Sequence, residues 1–258
     1  MNLDKKFMKI ENIIKLPSMP LAAPSYPNGV FRFINREYLT IVYETDPEAI
    51  SSALPEPLVP DGSNTVLYEF IRMPDSSGFG DYTESGIVIP SKYNDEHVNF
   101  TTQMYLDNEA ATFGGREVWG FPKKIGKPKL TVFEDTLTGI LEYANVQVAI
   151  ATMTYKHNNI CQNSKQKDEI LEQLSKKQVN LKIIPDVDGK PAIAQLVSYQ
   201  LTDIDIKGAW SGSARLHLIP HVNAPVADFP VHKILNCIHV VADLTLPYGN
   251  VMYDYLNQ

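Results

Sequence analysis

The chain has 258 residues, a length that can bury a large hydrophobic core as one domain or two small ones. Hydrophobic residues make up 44% and charged residues 21%, which is typical of a globular protein. The 23 Lys and Arg residues against 30 Asp and Glu give a net charge of −7, and this balance argues against binding to nucleic acid or to an anionic membrane surface.

Most of the chain has the pattern of short β-strands. Runs rich in β-branched and aromatic residues are separated by turn residues, including Asp-Gly pairs at 61–62 and 188–189. Residues 138–156 predict two strands, with Ala144 and Asn145 near the turn between them. The other predicted strands are 37–45, 65–73, 85–93, 98–106, 128–135, 179–189, 192–210, 214–219 and 238–247. Repeated short strands of this kind indicate a barrel or a pair of packed sheets.

Helices are predicted at three places. In the first, Asp46 is the expected N-cap and Pro47 lies in the first turn, and the helix ends before Pro55. The second, 164–178, has a serine cap and apolar residues on one side, as in an exposed helix. The third is a short turn at 230–236.

No repeat, low-complexity tract or linker divides the chain, so a single mainly β domain over residues 1–258 is predicted, with 1–19 as an N-terminal arm. Polar residues interrupt the apolar run near the N-terminus, and no segment has the length of a membrane span. Cys161 and Cys237 show no metal-ligand or redox spacing, which favours free thiols in a reducing compartment. We therefore expect a cytoplasmic protein that does not bind membranes.

Several motifs that would indicate other chemistries are incomplete. The glycine-rich segment 78–86 is not followed by a helical pattern that would present amides to a phosphate. His217 and His221 have the spacing of a helical zinc site, but Pro220 lies between them in a predicted strand. No serine occupies a nucleophile-elbow motif, so a hydrolase has little support.

The segment GREVWGFPKKIGKP, residues 115–128, contains two adjacent lysines in apolar surroundings. Lys123 and Lys124 follow Trp119 and Phe121, which are candidates for the walls of a pocket. Amine catalysis requires a lysine that is neutral at the working pH. Burial in apolar surroundings or a neighbouring cation lowers a lysine pKa, and this segment offers both.

This segment, together with NREYLTIVYETDPEAI, DYTESG, MYLDNE, ATMTYKH and LKIIPDVDG, resembles the acetoacetate decarboxylase family, and the similarity extends from about residue 20 to the C-terminus. The resemblance implies a mainly β, single-domain fold of barrel or cone shape, a homo-oligomer, and a small keto-acid substrate. It implies no organic cofactor and no metal. By position in the family motifs, Lys123 matches the Schiff-base lysine and Lys124 its neighbour, while Arg36, Glu69 and Glu84 match active-site residues.

The resemblance implies a Schiff-base decarboxylase that converts acetoacetate to acetone and carbon dioxide, and the residue types suggest a role for each of these side chains. Lys123 forms an imine with acetoacetate, and Arg36 holds an oxyanion, either that of the substrate or the carboxylate of Glu84. Glu84 is the candidate for proton shuttling and Glu69 for orienting the polar cluster, although these two roles can be exchanged. If residues 123 and 124 are extended, their side chains point to opposite faces, so burial lowers the Lys123 pKa and Lys124 is structural.

Two other functions remain open at the level of the sequence. One is a related Schiff-base enzyme that performs aldol, dehydration or decarboxylation chemistry on another keto acid. The other is a non-catalytic module that binds a small carboxylate, in which case no imine forms. For Arg36, Glu69 and Glu84, the alternative to catalysis is an ion-pair network that holds the sheet together.

Overall fold

A computed structural model describes residues 8–257, and its fold is mainly β. The strands in chain order are β1 Phe31–Glu44, β2 Val59–Pro60, β3 Thr65–Met73, β4 Asp75–Ser76, β5 Tyr82–Tyr93, β6 Glu96–Leu106, β7 Lys123–Ile125, β8 Lys127–Phe133, β9 Thr136–Tyr143, β10 Val146–Thr154, β11 Asn158–Asn159, β12 Gln178–Pro185, β13 Pro191–Tyr199, β14 Thr202–Ser211, β15 Ala214–Leu218, β16 Lys233–Leu246 and β17 Asn250–Asp254. The helices are α1 Ile10–Ile13, α2 Pro47–Ala53, α3 Glu109–Gly114 and α4 Ser164–Ser175, with a π-helical turn Gly115–Trp119 and a 3₁₀ turn Val226–Asp228.

The strands form a large sheet and a small one. The large sheet has the order β11-β14-β16-β1-β3-β5-β6-β12-β13-β17, with β2, β4 and β7 added at its margins, and the small sheet has the order β15-β10-β9-β8. Within the described residues, β11 and β17 do not pair, so the large sheet is open and is compatible with the predicted cone rather than a closed barrel. The prediction of a mainly β, single-domain fold is confirmed.

Side chains alternate between the two faces of the central strands, and they form two separate layers. On β1, Leu39, Ile41 and Tyr43 belong to the core that packs against the small sheet. Tyr38 belongs to a second core on the other face, and Thr40 borders a cavity there. Because successive strand residues point to opposite faces, the same strand supplies both a dry core and a cavity wall.

Several predicted elements agree with the structure. The strand 65–73 has the observed bounds of β3, and residues 138–156 form β9 and β10. Ala144 and Asn145 lie between them with φ of 50° and 63°, as a tight hairpin turn requires. The helix at Pro47 is also present as α2.

Asp46 is the N-cap residue of α2 as predicted, but the predicted serine cap of α4 is wrong. The Asp46 side chain makes no cap hydrogen bond, because it contacts His232 instead. The cap of α4 is Asn163, whose side chain accepts hydrogen bonds from two backbone amides of the first turn. This helix ends at Ser175, since Lys176 is already extended.

Two further predictions fail where sheet pairing decides the backbone. The run 192–210 contains two strands, β13 and β14, because strand pairing is interrupted at residues 200–201 and the two halves pair with different neighbours. The predicted turn at 230–236 is wrong, since β16 begins at Lys233 and pairs with β1. The helical turn in this region lies earlier, at Val226–Asp228.

Residues 1–7 of the expected N-terminal arm lie outside the described residues, and the arm as a separate unit stays a prediction. Of the helices in residues 8–257, none has the length and apolar character needed to cross a membrane.

Candidate active site

The face of the large sheet opposite the small sheet carries a cavity of about 110 Å³. Strand alternation explains its mixed lining, because alternate residues of β1 and β3 that do not enter the core point here instead. The polar residues at its wall include Arg36, Tyr38, Thr40, Glu69, Tyr82, Glu84, Lys123 and Tyr199. Helix α4 borders the same cavity through Ile170, Gln173 and Leu174. The sequence-predicted ionisable residues therefore meet in one place, with Lys124 as the exception.

Lys123 is the first residue of β7 and is only 6% exposed. Its Nζ lies 2.6 Å from Oε1 of Glu84 and donates a hydrogen bond to the carbonyl of Ala111 at 3.2 Å. Burial lowers the pKa of the Lys123 amine, the Glu84 carboxylate opposes this shift, and the positive charge of Arg36 adds to it. The amine therefore loses its proton more readily than an exposed lysine.

The π-helical turn before β7 sets the position of this lysine. Gly120 ends the turn in the left-handed region, with φ of 74°, and the amide of Phe121 donates to the carbonyl of Gly115 at 3.1 Å. Arg116 donates from Nη1 to the carbonyl of Lys123 at 3.0 Å. A Cβ atom at Gly115 would lie 2.7 Å from Cδ of Lys123, so any other residue here would require the lysine side chain to move from its observed position. Single π-helical turns of this kind occur frequently at functional sites.

Glu69 and Glu84 occupy neighbouring strands of the same wall. Glu84, on β5, is 3% exposed and pairs with Lys123. Glu69, on β3, lies opposite Thr40 in the sheet register and accepts a hydrogen bond from its hydroxyl at 3.2 Å. Burial raises the pKa of the Glu69 carboxyl, while Arg36 and the Thr40 hydroxyl lower it by smaller amounts. Glu69 therefore keeps its proton to a higher pH than an exposed glutamate.

Arg36 follows an irregularity in β1, where the pairing with β16 shifts between Phe33 and Arg36. Its guanidinium carbon lies 5.1 Å from the ring centre of Phe33 and 4.8 Å from that of Tyr38. These distances permit cation–π attraction. In the described part of the chain, buried Nε of Arg36 has no hydrogen-bond partner, and no carboxylate forms an ion pair with this side chain. The guanidinium is thus held by aromatic rings, and its N–H donors can bind an acceptor that enters the cavity.

Phe121 and Trp119 were both expected at the pocket wall, and they differ in position. Phe121 borders the cavity, with its ring centre 5.0 Å from Nζ of Lys123. Trp119 is not part of the wall, because its indole is held behind it: Nε1 donates to the carbonyl of Pro247 at 2.8 Å, and the ring stacks on Tyr248. Trp119 supports the wall from outside.

Lys124 also lies away from the cavity. It is exposed, its Nζ donates to the carbonyl of Asn223 at 2.5 Å, and it lies 5.0 Å from the ring centre of Tyr143. Because Lys123 and Lys124 are consecutive strand residues, their side chains leave opposite faces. The cation whose charge bears on the Lys123 amine is Arg36.

The sequence analysis missed three tyrosines at the cavity wall, Tyr38, Tyr82 and Tyr199. Tyr38 stands two residues after Arg36 and Tyr82 two residues before Glu84, so strand alternation places each on the face of its charged neighbour. Tyr199 ends β13, and no nearby motif marks it. Burial raises the pKa of all three hydroxyls, so they remain hydrogen-bond donors over the range in which proteins are active.

The fold and the cavity are those of a mainly β enzyme with a buried lysine that is paired with a carboxylate. The family model for acetoacetate decarboxylase matches residues 18–256. An acetoacetate decarboxylase of Chromobacterium violaceum is 51% identical over 241 residues, which cover 93% of this chain and 96% of that protein. The chain therefore belongs to the acetoacetate decarboxylase family, as its sequence motifs indicated.

Solved structures agree with this assignment. The crystal structure of acetoacetate decarboxylase from Legionella pneumophila is 47% identical and has a TM-score of 0.89, covering 99% of this chain and 100% of that one. A second structure, from structural studies of acetoacetate decarboxylase, is 43% identical and has a TM-score of 0.92, covering 97% of this chain and 100% of that one.

Proposed function

We propose that this protein decarboxylates acetoacetate to acetone and carbon dioxide through a Schiff base on Lys123. The observation that carries the proposal is the buried Lys123 amine, whose pKa is lowered by its surroundings and which borders the cavity. The family membership and the names of the relatives support the substrate and the reaction.

In this mechanism the neutral Nζ of Lys123 attacks the ketone carbon of acetoacetate, and loss of water leaves a protonated imine. The bond between the α-carbon and the carboxylate then breaks, carbon dioxide departs, and the bonding electrons form an enamine with the imine nitrogen. Protonation of the enamine carbon and hydrolysis of the new imine release acetone and restore the amine. Each turnover consumes one proton. No cofactor enters this chemistry.

We assign the protons by position. Glu84, 2.6 Å from Nζ of Lys123, takes the proton from the ammonium and returns one to the departing hydroxyl group. Burial raises the pKa of the Glu69 carboxyl and so favours its protonated form, and we assign Glu69 as the group that protonates the enamine carbon. Arg36 binds the carboxylate of the substrate, since its planar fork suits bidentate pairing.

We also propose that the protein is cytoplasmic and forms a homo-oligomer. The free thiols of Cys161 and Cys237 support a reducing compartment. Large apolar side chains on the surface of the single chain, such as Phe133 at 74% exposure and Val222 at 89%, support contacts with further copies.

Borohydride reduction during turnover of acetoacetate tests the mechanism. We expect a three-carbon adduct on Lys123, found by intact mass and peptide mapping, together with loss of activity. Lys124→Gln is the matched control and should still be labelled at Lys123, whereas Lys123→Gln should not be labelled. Arg36→Gln and Glu84→Gln should each lower kcat/KM at least about tenfold, or roughly 1.4 kcal/mol of transition-state stabilisation.

Different results would identify the alternatives. An adduct on Lys124, or carbon dioxide release without any adduct, would overturn the assignment of Lys123. Imine formation without decarboxylation of acetoacetate would indicate a related enzyme for another keto acid, which assays with two longer β-keto acids would identify. Binding of acetoacetate without an imine would indicate a carboxylate-binding module.

A further inference from the structure

Two hydrogen-bond donors at the cavity wall have no acceptor. The hydroxyl of Tyr38 and Nε of Arg36 are both buried, and neither has a hydrogen-bond partner among the residues that the structure describes. An unpaired buried donor costs free energy, because it loses its hydrogen bond to water and forms no hydrogen bond within the protein. Such groups are uncommon in folded proteins, and two of them at one wall require an explanation.

The two donors belong to one structural unit. Arg36 and Tyr38 are two residues apart on β1 and therefore point to the same face, and both border the cavity that contains Lys123. The guanidinium carbon of Arg36 lies 4.8 Å from the ring centre of Tyr38. Their shared strand and mutual contact fix the two donors relative to each other.

The nearby carboxylates are already engaged elsewhere. Glu84 pairs with Nζ of Lys123, and Glu69 accepts the hydroxyl of Thr40. Within residues 8–257, neither carboxylate forms a hydrogen bond with Arg36 or Tyr38. The acceptor that fits a guanidinium and a phenol hydroxyl side by side is a carboxylate that enters with the substrate.

We propose that Tyr38 is a substrate-binding residue, and that its hydroxyl donates a second hydrogen bond, beside Arg36, to the carboxylate of the keto acid. This inference rests on the proposed function, because it assigns the carboxylate end of that substrate. The phenol adds a donor without a second positive charge. A second cation would stabilise the carboxylate of the bound substrate more than the transition state, in which the negative charge leaves the carboxylate as its electrons move towards the imine.

Two donors also fix an orientation that one donor leaves free. The breaking bond must lie perpendicular to the plane of the imine, so that its electrons enter the π-system of the C=N bond. Rotation about the bond to the α-carbon destroys this alignment. Anchoring the carboxylate at Arg36 and Tyr38 holds the reactive conformation, which is the contribution that positioning makes to catalysis.

Tyr38→Phe tests the proposal, because it removes the hydroxyl and keeps the ring against Arg36. We expect kcat/KM for acetoacetate to fall at least about tenfold, as for a hydrogen bond to a charged group. Inhibition by acetate should weaken as well. Imine formation with acetone, which has no carboxylate, should proceed at the wild-type rate when trapped with borohydride. The melting temperature should not fall, since the variant removes an unpaired buried hydroxyl.

Tyr43→Phe is the matched control. Tyr43 lies on β1 but faces the other core, and its hydroxyl donates to the carbonyl of Phe229 at 3.1 Å. This variant should melt at a lower temperature and keep kcat/KM.

Three outcomes would overturn the role of Tyr38. These are an unchanged kcat/KM in Tyr38→Phe, a parallel loss of acetone trapping that indicates a structural defect, or unchanged inhibition by acetate. Wild-type protein that forms no imine with either compound would instead refute the proposed function. If Tyr38→Phe does not fold, the hydroxyl is structural and the proposal fails.

Discussion

The origin of the low Lys123 pKa can be decided by removing each neighbouring cation in turn. Lys124 is adjacent in sequence, yet its amine is exposed and bonded to the carbonyl of Asn223. Arg36 is distant in sequence, yet its charge acts on the Lys123 amine inside the cavity. We predict that Lys124→Gln leaves the Lys123 pKa nearly unchanged, whereas Arg36→Gln raises it.

The expected magnitudes differ because the surroundings differ. Two unit charges about 10 Å apart in water interact by about 0.4 kcal/mol, so the loss of Lys124 should change the pKa by about 0.3 unit or less. Burial of a lysine shifts its pKa by as much as about 3–5 units. Phe121→Asn should therefore raise the Lys123 pKa by about one unit or more, because Phe121 closes the wall 5.0 Å from Nζ and asparagine admits water.

The sign of the effect on activity follows from the reactive form. The neutral amine is the nucleophile, so a higher pKa moves the acid limb of the kcat/KM profile to higher pH. Because Arg36 also contacts the substrate in our proposal, its variant is best measured by pH-dependent acylation of the Lys123 amine with peptide mapping. A rise of about one unit in Lys124→Gln, with Phe121→Asn unchanged, would refute this explanation.

Two further predictions follow from packing around the lysine. Gly115→Ala should lower kcat/KM about 10- to 100-fold, because the new Cβ would meet Cδ of Lys123 at 2.7 Å and displace the amine. Circular dichroism would establish that the variant is folded, and normal steady-state kinetics would contradict the prediction. Trp119→Phe should lower the free energy of unfolding in urea titrations by about 1–2 kcal/mol, because the hydrogen bond to the carbonyl of Pro247 is lost. The kcat should stay near the wild-type value. A large loss of kcat in a stable variant would show that Trp119 does more than support the wall.

The central residues of the candidate site could be predicted from the sequence, because each of them lies within a short local motif. Lys123, Arg36, Glu69 and Glu84 were each recognisable within a short segment, and the fold brings all four to one cavity. The opposite placement of Lys123 and Lys124 also followed from strand alternation alone.

Other features of the site depend on tertiary contacts that no local pattern contains. Tyr199 reaches the cavity only because β13 pairs with β12, which in turn pairs with β6. Helix α4 was predicted from its sequence, but its position over the cavity was not, since that depends on how the segment between β11 and β12 crosses the sheet. Trp119 was misplaced for the same reason, because its partner Pro247 is 128 residues away in the chain.

The four ionisable groups of the cavity, on Arg36, Glu69, Glu84 and Lys123, can keep the total charge of the site balanced during the proposed reaction. Burial lowers the pKa of the Lys123 amine and raises the pKa of the Glu69 carboxyl, so it favours the neutral form of both groups, while the Arg36 guanidinium carries a positive charge. The substrate carboxylate and the protonated imine on Lys123 add one further charge of each sign, and both disappear when carbon dioxide leaves. Transfer of the Glu69 proton to the enamine carbon then creates a carboxylate and an iminium together. Since an unpaired charge in a buried site is costly, the proposed steps create and remove charges in pairs, and burial favours the neutral forms of Lys123 and Glu69 between these steps.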